Sequence, residues 1–555
     1  MAARIVTLFY GGEFITLSPC NEVKGILEEN GIITKLIEST LEIDRLMSDE
    51  NVRKVRLNGC VVPGFVMSHT HFSTYSILTK SVRVSPMNLF FDENYSPPKT
   101  SDEVLHRLKE SVCNSDDIFA QGYEPVLQTG KIIDRNDLDL VSDKICIYLM
   151  SASMHTIYVN TQVLLKNGLV DKILGGIVVT DKVPEGADEE VMKGALSEEN
   201  LLLISATIPK ISPNELRVCM EHAINLLRSQ GITTLSDATV QDTMFSFYKD
   251  LAMDMKYGVF PKMRIIGFPV YSPKSPFLVP SHGGLIQLDF KSFYNSDFLT
   301  VGPMKVIGDG SVQGYTAYLN RPYYSPPFFE VPNPDEWRGQ YNYPRIDLRV
   351  AFQEILGCGM NLAVHGNGDG DIDLILDALE KVGEKIELKG RVRIEHSSLI
   401  TVSQLIRCRF LGIHTSFLNH HIYYYGDVFR ERVLGPARTD RIHPAGTATE
   451  MGVSWDLHSD CPVSPPCPLF EMWTAVNRST SSGIILCKEE RVSAMEALKA
   501  CTIYSALSLG IGDKVGSLEV GKFADFTVLS DNPITIDPKN IRDIIVLQTH
   551  ISNRT

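Results

Sequence analysis

Several apolar runs in this chain each end in a side chain that can hold a metal, and that recurrence constrains the fold most. The run from Gly59 to Ser68 delivers His69-Thr70-His71, and further runs deliver Lys305, His365, His396 and Asp460. In extended chain, residues two apart point the same way, so His69 and His71 can share one ion. Ligands at the C-terminal ends of separate strands, converging on one mouth, are the arrangement that a metal site on a parallel barrel requires.

The alternation between those runs supports the same architecture. Short apolar segments end near 69, 237, 268, 307, 365, 396, 417 and 459, and helical patterns follow them. The expected strands are 232–237, 262–268, 301–307, 361–365, 391–396, 410–417 and 453–459, with the one ending at His69 as the eighth. Alternation of this kind indicates an α/β fold, here a distorted TIM (β/α)8 barrel. Residues 76–214 interrupt it and are too long for a loop, so they are expected to form a large inserted α+β subdomain over the barrel mouth. Residues 3–9 and 13–18 read as a hairpin around Gly11-Gly12, with further strands at 32–38 and 52–58. A strand after Gly516 and another at 541–547 complete a small composite β-sandwich drawn from both chain ends. The expected boundaries are 1–62 and 506–555 for the sandwich, 63–75 and 215–505 for the barrel, and 76–214 for the insert.

Composition narrows the function classes. The 555 residues carry 53 basic and 67 acidic side chains, a net charge of -14. That balance argues against nucleic acid or an anionic membrane surface as a partner. The apolar N-terminus is short and reads as a strand rather than a signal peptide, and no 18-residue apolar stretch is present. Eleven scattered cysteines then read as reduced thiols in a cytoplasmic protein. A small-molecule substrate and a homodimer are the expected partners.

Each candidate site residue has an ordinary alternative. A lysine inside the strand Val301–Ile307 is costly unless its charge is used or removed, so Lys305 is expected to bridge metals after N-carboxylation or to contact substrate; otherwise it snorkels at the surface. His365 and His396 would singly pass for satisfied core histidines, but both follow the same strand-then-ligand pattern. Asp460 can hold a metal-bound water and take its proton, or it can serve an Asx-turn before Pro462. His458 shares a strand face with Asp460 and suits a supporting place beside the ligands. His421, in a loop with Tyr423–Tyr425, can reach the substrate or simply line the loop.

These segments resemble the amidohydrolase superfamily, and more narrowly its YtcJ-like, N-substituted formamide deformylase-like branch (the amidohydrolase-3 type). The resemblance rests on Pro63–His71, Asp137–Asp139, Ser151–Asn160, Gly194–Glu198, Gly231–Thr234, Lys305 with Asp309–Ser311 and Thr316-Ala317, Val364-His365, Ile394–His396, Ser459–Val463 and Gly516–Asp525. It implies one or two divalent metal ions, commonly zinc, and hydrolysis of a non-peptide C–N bond, amide or formamide-like. Metal-activated water would react with Asp460 as general base and then acid. His69, His71, Lys305 and Asp460 would hold the more buried metal, and Lys305, His365 and His396 the second. His155, Asp309 and Tyr315 are expected near the substrate or behind the ligands. The chain departs from the family pattern at Gln313–Tyr315, Gly366–Gly368 and Ser397-Ser398, positions expected to line the pocket. Two rival readings are a deaminase of the same superfamily, disfavoured by Lys305, and a catalytically dead scaffold, disfavoured by the complete ligand set.

Overall fold

Strand Phe65–Met67 pairs in parallel with Ile232–Val240, which pairs with Arg264–Pro269, which pairs with Leu299–Val301. A second parallel sheet runs Met304–Ile307, Leu362–Gly366, Val392–His396, His414–Phe417 and Trp455–Leu457. The computed structural model describes residues 6–19, 22–112, 117–173, 176–184, 186–197, 200, 203–273, 275, 278, 294–343 and 345–554 of this α/β protein. Glu198 of the Gly194–Glu198 motif and two of the cysteines, Cys20 and Cys113, lie outside the described residues; the nine described cysteines are unpaired.

One strand expected at 301–307 is in fact two. Gly302-Pro303 interrupts it, because Pro303 offers no N–H to the ladder, so Leu299–Val301 stays with one sheet and Met304–Ile307 starts the other. Single bridges then link the two sheets, from Val270, just past Arg264–Pro269, to Lys305 on one side and from Thr70 to Cys461 on the other. His71 N donates to Cys461 O at 2.7 Å across the second junction. The strand expected from 410 begins at His414, since helix Val402–Leu411 and the left-handed Gly412 occupy the preceding positions.

The helices lie on the outside for reasons visible in their sequence. Pro213–Ser229 opens with a Ser212/Glu215 capping box and Pro213 in its first turn. It buries Leu216, Met220, Ala223, Ile224 and Leu227, one apolar stripe at helical spacing. Gly64 lets the first strand pass close to its neighbour: a Cβ there would sit 2.2 Å from Thr233 Oγ1.

Residues from both chain ends share one sheet, Glu13–Phe14, Cys60–Pro63, Phe526–Leu529 and Val546–His550. A second sheet of Ile32–Ile37, Gly25–Glu29, Val6–Tyr10 and Val52–Arg56 packs on it through Phe9, Ile26, Val61, Phe526 and Val528. The hairpin expected around Gly11-Gly12 is therefore not formed. Val6–Tyr10 and Glu13–Phe14 go to different sheets, and each takes a parallel partner. The strand expected at 541–547 is displaced too: Pro538–Asp543 is a 3-10 turn, and the strand starts at Val546.

The segment after His71 carries its own five-stranded sheet. It contains Val82–Arg83, Ile118–Tyr123, Ile147–Ser151, Thr156–Val159 and Ala195–Ser197. Ile118, Ala120, Ile147 and Leu149 pack on one face, and Tyr148, Ile157 and Val159 on the other. No helix among the described residues is long and apolar enough to cross a membrane.

Candidate active site

His69, His396 and Asp460 each present one ligand atom, and the three atoms lie within 4.8 Å of one another. His69 follows strand Phe65–Met67, His396 ends Val392–His396, and Asp460 follows Trp455–Leu457. His71 Nε2 is 3.3 Å from Asp460 Oδ1, the same distance as His69 Nε2 from that oxygen.

Two local backbone features bring these side chains together. His396 has φ of +68° and Ser397 +45°, and Asp460 has φ of +53°. In a regular strand Glu395 and His396 would face opposite sides. The left-handed turn at His396 lets both reach the His69 neighbourhood, at a conformational cost that non-glycine residues bear mostly at functional positions.

Further side chains behind them orient these candidate ligands. Glu395 Oε2 accepts from His69 Nδ1 at 2.7 Å. A carboxylate can only accept, so the proton sits on Nδ1 and the Nε2 lone pair faces Asp460. Arg393 in turn donates Nη2 to Glu395 Oε2 at 3.0 Å and Nε to Glu395 Oε1. Burial opposes ionisation of Glu395, but Arg393 and His69 outweigh it and hold the carboxyl well below its usual range. Thr239 Oγ1 lies 3.0 Å from His71 Nδ1. His458 Nε2 is 3.1 Å from His396 Nδ1, and His458 Nδ1 is 2.8 Å from Ser416 Oγ, which donates to Asp456.

Burial disfavours the charged form of His396 and His365. It pushes His396 well below the ordinary histidine range, against the attraction of Asp460, and it lowers His365 against Asp309. Lys305 is pushed down to about 8 by burial, against the pull of Glu395 and Asp460.

These groups fit a divalent metal ion. His69 Nε2, Asp460 Oδ1 and Lys305 Nζ are all buried without a hydrogen-bond partner. Neutral imidazole nitrogen with carboxylate oxygen is a donor set that suits zinc, and an ion between them would satisfy atoms that are otherwise costly to bury.

His365 stands beside this cluster rather than in it. Its ring centroid is 4.4 Å from that of His396, yet its Nε2 meets Gly310 O and Asn367 Nδ2, each at 3.1 Å. Asp309 braces that strand end by accepting from the backbone N–H groups of Asn367, Gly368 and Tyr318, each at 2.9 Å. The three atoms in reach of one ion thus cross the two ligand groups that the resemblance implies.

A cavity of about 960 Å³ opens in front of the cluster, with His71, Lys305, His365, His396 and Asp460 in its wall. His155 comes to that wall from the inserted segment, its ring 5.6 Å from His365. Tyr315 does not reach the described wall: it is buried against Tyr323 and Phe328, with its hydroxyl 3.2 Å from Ser325 Oγ. His421 is buried against Tyr425, Phe429 and His443 and is not among the residues of that wall. Of Gln313–Tyr315, Gly366–Gly368 and Ser397-Ser398, none lies in the described wall. Residue-by-residue reading overlooked Thr239, Arg393 and Ser416, and the part Glu395 plays. The Arg393/Glu395 pair had a usable signal, two charges at alternate positions of an otherwise apolar strand; Thr239 and Ser416 had none.

Comparison with known proteins finds similarity along nearly the whole chain. A family model described as "Amidohydrolase family" matches residues 57–555. N-substituted formamide deformylase of Arthrobacter pascens is 26% identical over 505 residues, 88% of this chain and 87% of that protein. The YtcJ protein of Bacillus subtilis (strain 168) is 25% identical over 565 residues, 99% of this chain and 98% of that one. In structure, an uncharacterized metal-dependent hydrolase from Pyrococcus horikoshii OT3 superposes with a TM-score of 0.70 at 21% identity, covering 96% of this chain and 99% of its own.

Proposed function

This chain belongs to the amidohydrolase family, and from that premise we propose that it hydrolyses a non-peptide C–N bond, amide or formamide-like, of a small molecule. The observation that carries this reading is the pair of buried atoms without a hydrogen-bond partner, His69 Nε2 and Asp460 Oδ1, 3.3 Å apart, with Asp460 in the wall of the 960 Å³ cavity. The name of the Arthrobacter relative, a deformylase of N-substituted formamides, supports the bond class.

His69, His396 and Asp460 would hold a divalent ion, zinc by donor chemistry, with His71 as the fourth side chain in reach. Lys305, free or N-carboxylated, and His365 would complete the site for a second ion. Such an ion supplies Lewis-acid polarisation of the carbonyl and makes water acidic enough to lose a proton near neutral pH.

The remaining work falls to the chain. Glu395 holds His69 in one tautomer, and Thr239 holds His71. Asp460 accepts the proton of the attacking water and returns it to the departing nitrogen. His155, on the inserted segment opposite His365, faces the substrate across the cavity and helps exclude water. We read the two parallel sheets as halves of one distorted (β/α)8 barrel (63–75 and 215–505), with 76–214 as its cover and 1–62 with 506–555 as the composite β-sandwich.

The test is release of primary amine from a panel of N-formyl and N-acyl amines by zinc-loaded protein of measured metal content. Stoichiometric metal with no amine released from any member would overturn the reading.

A further inference from the structure

The cavity in front of the ligand cluster has two chemically different walls. One is polar and uncharged, formed by Gln340, Tyr341, Asn342 and Tyr343. It is tied to the strand end that follows Lys305: Asn342 N donates to Gly308 O at 2.6 Å, and Tyr341 bridges Asp309. The other comes mainly from residues 76–214 and is largely apolar, with Leu78, Phe119, Met150 and Met154 next to Ser153 and His155.

The apolar wall is built on a sheet face. Tyr148 lies opposite Phe119, and Met150 opposite Gln121, in the parallel pairing of Ile147–Ser151 with Ile118–Tyr123. Phe119, Gln121, Tyr148 and Met150 therefore share one face. On it Tyr148 and Gln121 are buried, whereas Phe119 and Met150 are only half-buried and line the cavity. A large aromatic and a thioether left half-covered in a cavity wall gain contact when an apolar group enters. A carboxylate entering there would lose its water against carbon and sulfur. Among the described lining residues the only lysine or arginine is Lys305, which sits at the ligand cluster instead.

We propose that the Phe119/Met150 face, with Leu78 and Met154, is the specificity wall of this site and houses an uncharged apolar substituent of the substrate. The proposal rests on the amide-hydrolase reading and adds the class of substrate: a neutral amide with an alkyl or arylalkyl substituent, in preference to an N-acyl amino acid.

A matched pair of ligands tests it. N-(2-phenylethyl)acetamide and N-acetylphenylalanine share a skeleton and differ by one carboxylate. Titration calorimetry on the metal-loaded full chain is expected to show the neutral ligand binding at least about 10-fold more tightly. Met150→Lys should weaken the neutral ligand about 10- to 100-fold and shrink or reverse the preference. Phe119→Ala should weaken it without reversing the preference, and Met150→Leu should keep the wild-type pattern. Equal affinities in the wild type, no measurable binding of the neutral ligand, or an unchanged preference in Met150→Lys would each overturn the wall assignment. Release of amine, followed separately, keeps the two readings apart. Preference without turnover of any amide counts against the hydrolase, and turnover without preference counts against the wall.

Discussion

His69 Nδ1 and Glu395 Oε2 are 2.7 Å apart although 326 residues separate them in the chain, and both side chains are fully buried. This hydrogen bond decides which nitrogen of His69 is free to bind. It is backed by Arg393, so the imidazole is held by an ionised carboxylate that is itself held by a guanidinium.

Glu395→Gln keeps the shape but removes the charge that raises the basicity of His69. Metal affinity should fall by about 10- to 100-fold, the usual scale for losing such a supporting carboxylate. Zinc titration against a competing chelator measures it, and unchanged affinity would show that the Glu395 charge does not tune the site.

Asp460→Asn leaves an oxygen able to meet the metal but removes the proton acceptor. Turnover should drop by about 10³-fold in protein whose metal content has been checked. Turnover like that of the wild type at full metal content would remove Asp460 from the proton-transfer role.

Lys305 Nζ is buried without a partner, and burial pushes its pKa down to about 8. Near that pH much of it is neutral amine, the form that reacts with CO2. Protein equilibrated with ¹³C-bicarbonate should show a carbamate carbon resonance that Lys305→Ala lacks. A spectrum identical for the two proteins would leave Lys305 as a free amine.

Glu124, in the inserted segment, accepts from Tyr425 OH at 3.0 Å, and burial raises its pKa from 4.5 to about 7. Below about pH 4.5 the carboxyl is protonated folded or unfolded. Between 4.5 and 7 the unfolded chain gives up the proton first, so this group lowers stability as pH rises, by about 3 kcal/mol in all. Glu124→Gln still accepts from Tyr425 but does not titrate. The variant should therefore gain on the wild type as pH rises from 4.5 to 7, and hold that gain above 7. Denaturant unfolding at pH 4.5 and 8 compares them; a stability difference that does not change with pH would place the Glu124 titration near its ordinary value.

Much of the central fold was legible because its signals are local. Strand ends at 269, 307, 366, 396 and 417 fall within two residues of expectation, since a buried parallel strand must be apolar and short. The N-terminal pairing was not legible. Gly11-Gly12 is a plausible hairpin turn, yet Val6–Tyr10 finds Val52–Arg56 and Glu13–Phe14 finds Cys60–Pro63, partners that no local pattern announces. Tyr315 shows the same limit on the site side. Its place after the Asp309–Ser311 motif pointed to the pocket, but its ring turns to Tyr323 and Phe328.

The sequence by itself determined which residue types could bind and roughly where each would sit, because a ligand at a strand end is announced by the apolar residues just before it. Tertiary structure alone decided which of them converge. Alternation assigns a side chain to a face but says nothing about which distant strand lies beside it. The left-handed turn at His396, the pairing of His69 with Glu395 across 326 residues and the turning of His365 toward Gly310 across 55 are settled by packing between segments distant in the chain. The cavity walls were decided there too, where the half-covered Phe119 and Met150 line the same cavity as Lys305, His365 and His396 at the strand ends.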